Sequence, residues 1–379
     1  MALSSPQSNN KLVQYTTEIN REYVRENLFS PYMGTSLTSI IRLRNEPKKG
    51  GEQMNIPLVT RLTGTGKGVG QLTGNEEVID NYGMRAWVDW ARNAVATNKA
   101  EEQKDSADIF GEAKPLLSDW GKELQRDEII AAMMALPSES QPAGLGSTDG
   151  QRVNGILYED ANASQRNTWN ADNSDRVLYG NALGNYNATH ATALATVDAV
   201  DDKFTDVSVQ LLKYVAKHAR PRIRPYKLED GREYFVAFAG SNNFRQLKAA
   251  MKDVNKDARP RDVGSNPIFQ DGDQIYDGVI IREIPEIDEF VDTVWTSLKT
   301  AGDTSGRVAP VFLCGQSAVA MPWAQMARPT FRDETDYGFI KGSGVEMCYG
   351  LAKVFKKHSS TKLVQFGMVT GFFSAAGPA

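Results

Sequence analysis

The feature that most restricts how this chain can fold is a pair of alternating segments on either side of a run of glycines. In each segment apolar residues occupy every second position, which is the period of a β-strand with one buried face. These positions are Met54, Ile56 and Leu58 in the first segment and Met84, Ala86, Val88 and Trp90 in the second, and the glycines between them are Gly64, Gly66, Gly68 and Gly70. The pattern predicts a two-stranded ribbon over Glu52 to Trp90 with a glycine-rich tip.

A two-stranded ribbon by itself is only marginally stable in water, so this one needs another surface to lie on. We expect that surface to belong to a neighbouring subunit. Arg61 and Lys67 are predicted to pair with acidic groups there. Trp87, on the face opposite to Met84 and Ala86, is predicted to be an aromatic contact.

Beyond the ribbon the apolar period changes to that of a helix. Leu117, Trp120 and Leu124 form one stripe, Pro115 suits a first helical turn, and Pro137 ends the segment. A helix over Pro115 to Leu136 would be about 30 Å long. The stretch Pro137 to Asn173, rich in Ser, Gly, Asn and Asp, is predicted to be a long loop ordered by neighbouring subunits.

The second half of the chain is a mixed region of helical and strand patterns, and the fold class we expect for the whole chain is α+β. One helix should begin at Thr205 or Asp206, with Val207, Leu211, Val215 and His218 on its apolar face. The other predicted helices are one from Ser241 and a short one over Gln316 to Met326, and the predicted strands are Glu233 to Ala239, Asp277 to Ile284, Arg307 to Leu313, Gly344 to Phe355 and Lys362 to Phe373.

No motif predicts a catalytic, cofactor or metal site. The run Gly64 to Gly68 lacks the spacing of a phosphate-binding loop and is flanked by strands instead of a helix. Asp271, Asp273 and Asp277 resemble part of a calcium loop, but Tyr276 stands where the turn glycine should be. The net charge of −4 is unlike that of proteins that grip duplex DNA, and no stretch approaches the roughly 20 apolar residues that span a bilayer.

Three arginines alternate with prolines and an isoleucine in Arg220-Pro221-Arg222-Ile223-Arg224-Pro225. Prolines hold such a segment extended, so the arginine side chains should point outward. They could pair with carboxylates of a neighbouring subunit, contact packaged DNA, or be a solvated connector.

The order of these segments resembles that of the phage-capsid-like family of tailed-phage major capsid proteins, which includes the N4-like podovirus capsids. The matching segments are Gly50 to Asn75 closing on Leu72-Thr73-Gly74-Asn75-Glu76, Val78 to Ala96 with Trp87 and Arg92, Arg222 to Lys227 before Tyr234-Phe235-Val236, Asn266 to Phe269 before Tyr276 to Ile280, and Asp336-Tyr337-Gly338 before Lys353-Val354-Phe355. The resemblance covers about residues 30 to 375 and is weakest over Pro137 to Asn173.

The resemblance implies the tailed-phage capsid fold, with an extended β-ribbon loop, a long spine helix, a peripheral domain and an axial domain. Residues 1–49 would be an N-terminal arm, 50–97 the extended loop, 98–200 the spine helix with peripheral-domain segments, and 201–379 the axial domain with returning peripheral strands. Hexamers and pentamers of such a subunit close an icosahedral shell around double-stranded DNA, which is bound without sequence specificity.

The resemblance also implies partners and a location. They are other copies of the chain, portal and scaffolding proteins and a decoration protein, in a virion assembled in the bacterial cytoplasm, with no cofactor and no membrane. A short helix over Tyr15 to Leu28 is predicted in the arm, and we expect a separate scaffolding protein and no maturation cleavage. Two alternatives stay open, namely a cellular nanocompartment shell of similar fold and a soluble α/β hydrolase.

Overall fold

The structure, a computed structural model, describes residues 27–45, 53–59, 62, 64–79, 81–104, 109–227, 233–251, 273–332, 337, 339–358 and 361–377. It mixes helices and sheets, so the predicted α+β class is confirmed. The chain divides into two compact units. Among the described residues, the first unit contains 27, 91–125 and 326–347, and the second contains 28–90, 126–325 and 348–377.

The strands and α-helices that contribute described residues to the first unit are β5 (Asp89–Asn98), α1 (Lys99–Glu102), α2 (Ala113–Met134), β12 (Val319–Phe331) and β13 (Ile340–Tyr349). Helix α1 begins with Asn98, whose side chain accepts a hydrogen bond from the Glu101 N–H at 2.9 Å and so caps the helix. Lys341 of β13 pairs with Glu102 at 3.0 Å.

Helix α2 confirms the long helix predicted from the leucine and tryptophan stripe, at Ala113–Met134 instead of Pro115 to Leu136. Pro115 lies within the first turn, where its missing N–H removes no helical hydrogen bond. Toward its end the helix buries Ile129, Ile130 and Met133 completely.

The second unit contains a seven-stranded sheet of order β6-β17-β11-β8-β10-β9, with β7 pairing on β8. Its strands are β6 (Val177–Tyr179), β7 (Tyr226–Lys227), β8 (Glu233–Ala239), β9 (Asp273–Tyr276), β10 (Val279–Glu283), β11 (Val308–Cys314) and β17 (Met368–Ser374). Every residue of β11 and β17 is buried, which accounts for their continuous apolar sequences.

In the chain, helices are interspersed with these strands. They are α3 (Ala163–Asp172), α4 (His190–Ala195), α5 (Asp206–His218), α6 (Ser241–Ala250) and α7 (Glu286–Thr293). Thr205 caps α5 as predicted, in a reciprocal arrangement with Ser208. The predicted apolar face of α5 was right for Val215, which is buried, and for Leu211, which packs against the core, but wrong for Val207, which is 53% exposed, and for His218, which is also exposed. The buried face contains Val209, Leu212, Val215 and Ala216.

The predicted helix over Gln316 to Met326 was also wrong, because this segment enters strand β12. Its first residues pair in parallel with β2 (Ile41–Asn45), which also pairs with β1 (Met33–Gly34). Residues Val319–Trp323 are buried without interruption, so the alternation that marks a half-exposed strand is missing.

The segment from Pro137 to Asn173 is not a long loop that depends on neighbours for its order. It contains α3, which begins with a capping box between Asn162 and Gln165. Trp169 is 4% exposed, and Val153 and Tyr158 are buried as well, so the segment packs within its own chain.

Several expectations fall outside the described residues, among them most of the helix over Tyr15 to Leu28 and the position of Asp271. Asp277 is described, and its carboxylate pairs with Lys213 at 2.8 Å. In the described part of the chain, no helix combines the length and the apolar character that crossing a bilayer requires.

Candidate subunit-contact sites

The predicted ribbon is present, and its lower part, which we call the ribbon base, consists of β3 (Gln53–Val59) and β4 (Asn81–Trp87). The strands pair antiparallel from Gln53 opposite Trp87 to Val59 opposite Asn81. Burial alternates strictly along β3, with Met54, Ile56 and Leu58 inside. The alternation that predicted the strand is therefore the alternation of its two faces.

The buried face of the ribbon base lies on the same chain and not on a neighbour. Ile56, Leu58, Met84 and Ala86 share one apolar cluster with residues of the second unit. We call those residues the platform; they are Ala320, Ala352, Val354 and Phe355, with Leu363 and Phe366 at its margin. They come from β12, β14 (Ala352–Lys353), β15 (Phe355–His358) and β16 (Lys362–Gln365) or the residues beside these strands. The ribbon base thus has an intramolecular core.

The end of the ribbon base is fixed by one buried amide side chain. Asn154 Oδ1 accepts a hydrogen bond from the Trp87 N–H at 2.8 Å, and its Nδ2 donates to the Trp87 carbonyl at 2.9 Å and to the Leu351 carbonyl at 3.1 Å. A Cβ on Gly350 would lie 2.0 Å from the Trp87 carbonyl oxygen, so only glycine fits there. Trp87 is consequently held between two chain segments.

This position differs from the expectation that the Trp87 ring is available to a neighbouring subunit. The side chain is only 5% exposed in the isolated subunit, so it offers a neighbour almost no surface. Simple alternation placed it on the outer face, whereas both Ala86 and Trp87 are buried where the ribbon base meets Asn154 and Gly350. Trp87 is a residue of the subunit interior in this structure.

The upper part of the ribbon, residues 64–79, which we call the ribbon tip, is exposed at every position. A turn at Leu72 to Asn75 closes it, with the Asn75 N–H donating to the Leu72 carbonyl at 2.9 Å and Gly74 at φ +83°. The Gly64 N–H donates to Glu77 Oε2 at 2.7 Å and links the two sides of the tip. A Cβ on Gly66, Gly68, Gly70 or Gly74 would meet nothing within 4 Å.

Apolar side chains project from the ribbon tip without any cover from the subunit. Their exposures are 112% for Val69, 66% for Leu72, 86% for Val78 and 59% for Ile79. These residues were not among the contacts predicted from the sequence. The available signal was four large apolar residues in a glycine-rich segment that is too open to form a core.

The predicted contact Lys67 is exposed on the ribbon tip, and Arg61 lies outside the described residues. Lys67 and the exposed apolar side chains described above therefore all lie on the ribbon tip. Trp87 is separated from them by the length of the ribbon base.

The arginine segment is a second exposed feature, at a different place in the second unit. Arg220, Arg222 and Arg224 are exposed, while Ile223 between them is 4% exposed and belongs to the main core cluster. This alternation confirms that the arginines point outward. The Gln316 N–H donates to the Arg224 carbonyl at 2.8 Å, which fixes the backbone.

An ion pair between the buried Arg176 and the partly exposed Asp175 fixes the other end of the arginine segment. Arg176, with no exposed surface, donates to Asp175 at 3.0 and 3.1 Å and to the Pro221 carbonyl at 3.3 Å. The Arg220 N–H donates to Asp175 Oδ2 at 2.7 Å. Burial raises the pKa of Asp175, but the hydrogen bonds and charge of Arg176 outweigh it and hold this pKa below its ordinary value. Asp175 therefore stays ionised and is already occupied by Arg176.

Three strongly perturbed titratable groups, His190, Lys353 and Cys314, lie in closed interior positions. Burial lowers the pKa of His190 to about 3, and the ring lies between the hydroxyls of Tyr158 at 3.0 Å and Tyr179 at 2.7 Å. Burial also lowers the pKa of Lys353 to about 7 and raises that of Cys314. Within the ranges that the structure describes, no cluster of His, Cys, Asp and Glu has an arrangement suited to a metal ion.

Comparison with known proteins gives a consistent set of matches. The sequence profile of a family described as phage capsid protein matches residues 5–370. The capsid asymmetric unit of cyanophage Pam1 is 35% identical, with all of both chains covered and a TM-score of 0.85.

More distant capsids share the fold. The capsid of Ralstonia phage GP4 is 16% identical over 98% of this chain and 97% of its own, with a TM-score of 0.68. The head protein of Helicobacter pylori bacteriophage KHP40 is 14% identical over 97% and 96%, with a TM-score of 0.64. No curated protein matches the chain.

Proposed function

This chain belongs to the phage capsid protein family and is a major capsid protein, and we propose that its copies assemble as hexamers and pentamers into an icosahedral shell around double-stranded DNA. The observation that carries the proposed assembly is the ribbon tip, which projects from a rigid base and presents uncovered apolar side chains. In this proposal residues 50–97 are the extended loop, α2 is the spine helix, 98–200 add peripheral-domain segments, and 201–379 supply the axial domain and returning strands.

The contrast between the base and the tip supports contact through the tip. The ribbon base is already covered by the platform, so it gains little from a neighbour. Val69, Leu72, Val78 and Ile79 are uncovered, and complete burial of such a side chain contributes about 1.5–3 kcal/mol. A neighbouring copy that covers several of them would gain enough to offset part of the entropy lost on association.

The remaining partners are proposed from membership of the phage capsid protein family. We propose that portal and scaffolding proteins and a decoration protein join the shell, and that DNA is enclosed without sequence-specific contacts. The subunit is made in the cytoplasm of the bacterial host and acts in the virion. We further propose that it performs no catalysis; in support, the strongly perturbed His190 and Lys353 side chains are closed to solvent.

Deletion of Gly64 to Gly74 tests the assembly proposal. The expected product is a folded subunit that forms no shells, because the platform still covers the ribbon base while the tip has lost Val69 and Leu72. Circular dichroism and thermal melting report folding, and sedimentation with electron microscopy reports assembly. Normal shells from the deletion variant would show that the tip is not the contact.

A matched control separates the tip from general surface apolarity. Leu183 is 51% exposed and Val200 is 71% exposed, and both lie far from the ribbon in sequence. The double variant Leu183→Ser with Val200→Ser should assemble normally, whereas Leu72→Ser with Val78→Ser should not. Equal yields of shells from both double variants would contradict the proposal.

The absence of catalysis has its own test. Purified shells should show no nucleotide hydrolysis and no glycosidase activity above a buffer blank. An activity that is retained through purification and removed by substitution of Lys67 or of a single carboxylate would overturn this part of the proposal.

A further inference from the structure

The arginine segment has a charge pattern that sets it apart from the rest of the chain. Residues 217–224 contain four cations, Lys217, Arg220, Arg222 and Arg224, and no carboxylate, although the whole chain carries a net charge of −4. Among the described residues, no carboxylate forms an ion pair with the side chains of the three arginines. The nearby carboxylate of Asp175 is taken by the Arg176 guanidinium and the Arg220 backbone N–H.

The backbone beneath these side chains is fixed before any partner arrives. The Arg220 N–H is held by Asp175 at 2.7 Å, Ile223 is inserted into the core, and the Arg224 carbonyl accepts from Gln316 at 2.8 Å. Binding would therefore order only the arginine side chains and not the chain that carries them. A preorganised segment loses less entropy on binding than a mobile one.

The outward arginines offer several cations to the phosphates of a nucleic-acid backbone. The chain bends at residues 219–221, so Arg220 is offset from Arg222 and Arg224, which lie on either side of the buried Ile223. Duplex DNA carries one negative charge for about every 1.7 Å of helix axis with both strands counted, so each of the three arginines has phosphates within reach. Guanidinium groups bind phosphate oxygens through paired N–H donors, with no need for a particular base.

We propose that Arg220, Arg222 and Arg224 form a phosphate-contacting row through which the subunit touches the enclosed DNA. This inference rests on the proposed function, since it needs a shell that encloses DNA, and it assigns the surface carrying the row to the inside of that shell. A local row of cations lets a chain with a net negative charge lie against a polyanion. A carboxylate-rich surface of a neighbouring copy is the competing partner.

Salt-dependent binding of duplex DNA tests the row directly. The full-length unassembled subunit is titrated into a fluorescent duplex of mixed sequence, and anisotropy is recorded at several salt concentrations. If three phosphates are contacted, the affinity should fall about 40-fold between 50 and 200 mM salt. The triple variant Arg220→Gln, Arg222→Gln, Arg224→Gln should show a log–log salt slope that is shallower by about 2.7.

Two control variants isolate the cause. Replacing all three arginines by lysine preserves charge and should preserve most of the salt slope. Replacing Lys99, Lys203 and Lys248 by glutamine removes the same charge from three other exposed positions and should leave the slope close to that of the wild type. Thermal melting of each variant confirms that the subunit is folded.

The anisotropy result decides the proposal. A wild-type subunit that does not bind DNA at 50 mM salt, or a triple glutamine variant with unchanged affinity and slope, would overturn it. Shell assembly is scored separately: a triple glutamine variant that binds DNA normally but forms no shells would assign the row to a neighbouring subunit. Failure of the wild type to form shells would instead contradict the proposed function.

Discussion

The base and the tip of the ribbon are built from similar residues but have opposite surroundings. In the ribbon base, Ile56 is 4% exposed and Met84 is 1% exposed, because the platform covers them. In the ribbon tip, Val69 and Val78 are 112% and 86% exposed. Apolar area in the base therefore stabilises the folded subunit, while apolar area in the tip is available for association. A hydrophobic residue in the sequence does not show by itself whether it stabilises the folded subunit or the association between subunits.

The largest expected effect comes from truncating the core of the ribbon base. Ile56→Ala should lower the free energy of unfolding by about 2–5 kcal/mol, because it leaves a cavity against the platform. Val69→Ala should change it by no more than about 0.5 kcal/mol but should reduce shell yield. Urea denaturation and sedimentation measure the two quantities. Similar stability losses from both variants would remove the distinction between base and tip.

The second prediction concerns Lys353, whose amine lies 3.5 Å from Gln365 Oε1 and 5.6 Å from the Trp169 ring. Burial lowers its pKa to about 7 in the folded chain, against 10.5 for the ordinary group, and the nearby Cys314 only partly offsets this. Between these two pH values the unfolded chain binds more protons, so the free energy of unfolding should rise with pH. Below pH 7 the destabilisation by the buried charge is fully present.

Lys353→Met should therefore stabilise the subunit near neutral pH by an amount on the order of a few kcal/mol, since each pKa unit corresponds to about 1.4 kcal/mol. It should also flatten the rise in stability between pH 7 and 10.5. Urea unfolding at a series of pH values measures both effects. Lys67→Met, at an exposed position of the tip, is the control and should leave the pH profile unchanged; an equal pH profile in wild type and Lys353→Met would contradict the prediction.

A smaller effect is expected at the Asn154 side chain, which fixes the end of the ribbon base. Asn154→Ala leaves the Trp87 N–H without its acceptor and should cost about 1–3 kcal/mol. The Trp87 amide should then exchange its hydrogen faster. Asn75→Ala removes the comparable side-chain bond to the Gln71 carbonyl in the exposed tip, 3.1 Å long, and should hardly change stability.

The smallest expected effect distinguishes two glycines of the tip. Gly74→Ala forces a side chain onto φ +83°, which costs about 1–2 kcal/mol locally and should slow assembly. Gly66→Ala has no such backbone requirement and also meets nothing within 4 Å. Light scattering should show slower shell growth for Gly74→Ala alone, with unchanged melting of either subunit. Equal growth rates would mean that the turn geometry does not matter for contact.

The sequence predicted the elements whose burial is one-sided and missed those whose burial is not. The alternation of Met54, Ile56 and Leu58 and the stripe of Leu117, Trp120 and Leu124 each reported one covered face, and both elements are present. The first part of β12 is covered on both faces, so its sequence has no period to distinguish a strand from a helix. Helix α3 is polar apart from Trp169, and only its capping box between Asn162 and Gln165 indicated it.

The candidate contacts were predicted less completely, for a related reason. Alternation could not show that Asn154 and Gly350, distant in sequence, would enclose the end of β4 and bury Trp87. The outward direction of the arginines was predictable, because the prolines and Ile223 impose it locally. Leu72 and Val78 are exposed because no other part of the folded subunit covers them. That depends on the tertiary structure and cannot be read from the local sequence.

The open space around four glycines of the tip has a consequence for the geometry of a closed container. One sequence that tiles a curved surface meets neighbours at distances and angles that differ from place to place. Gly66, Gly68, Gly70 and Gly74 give the tip backbone latitude with no side chain to clash, while Asn154 and the platform keep the root of the ribbon constant. In the proposed shell, the tip is therefore the part of the subunit that would adjust to unequal gaps between copies.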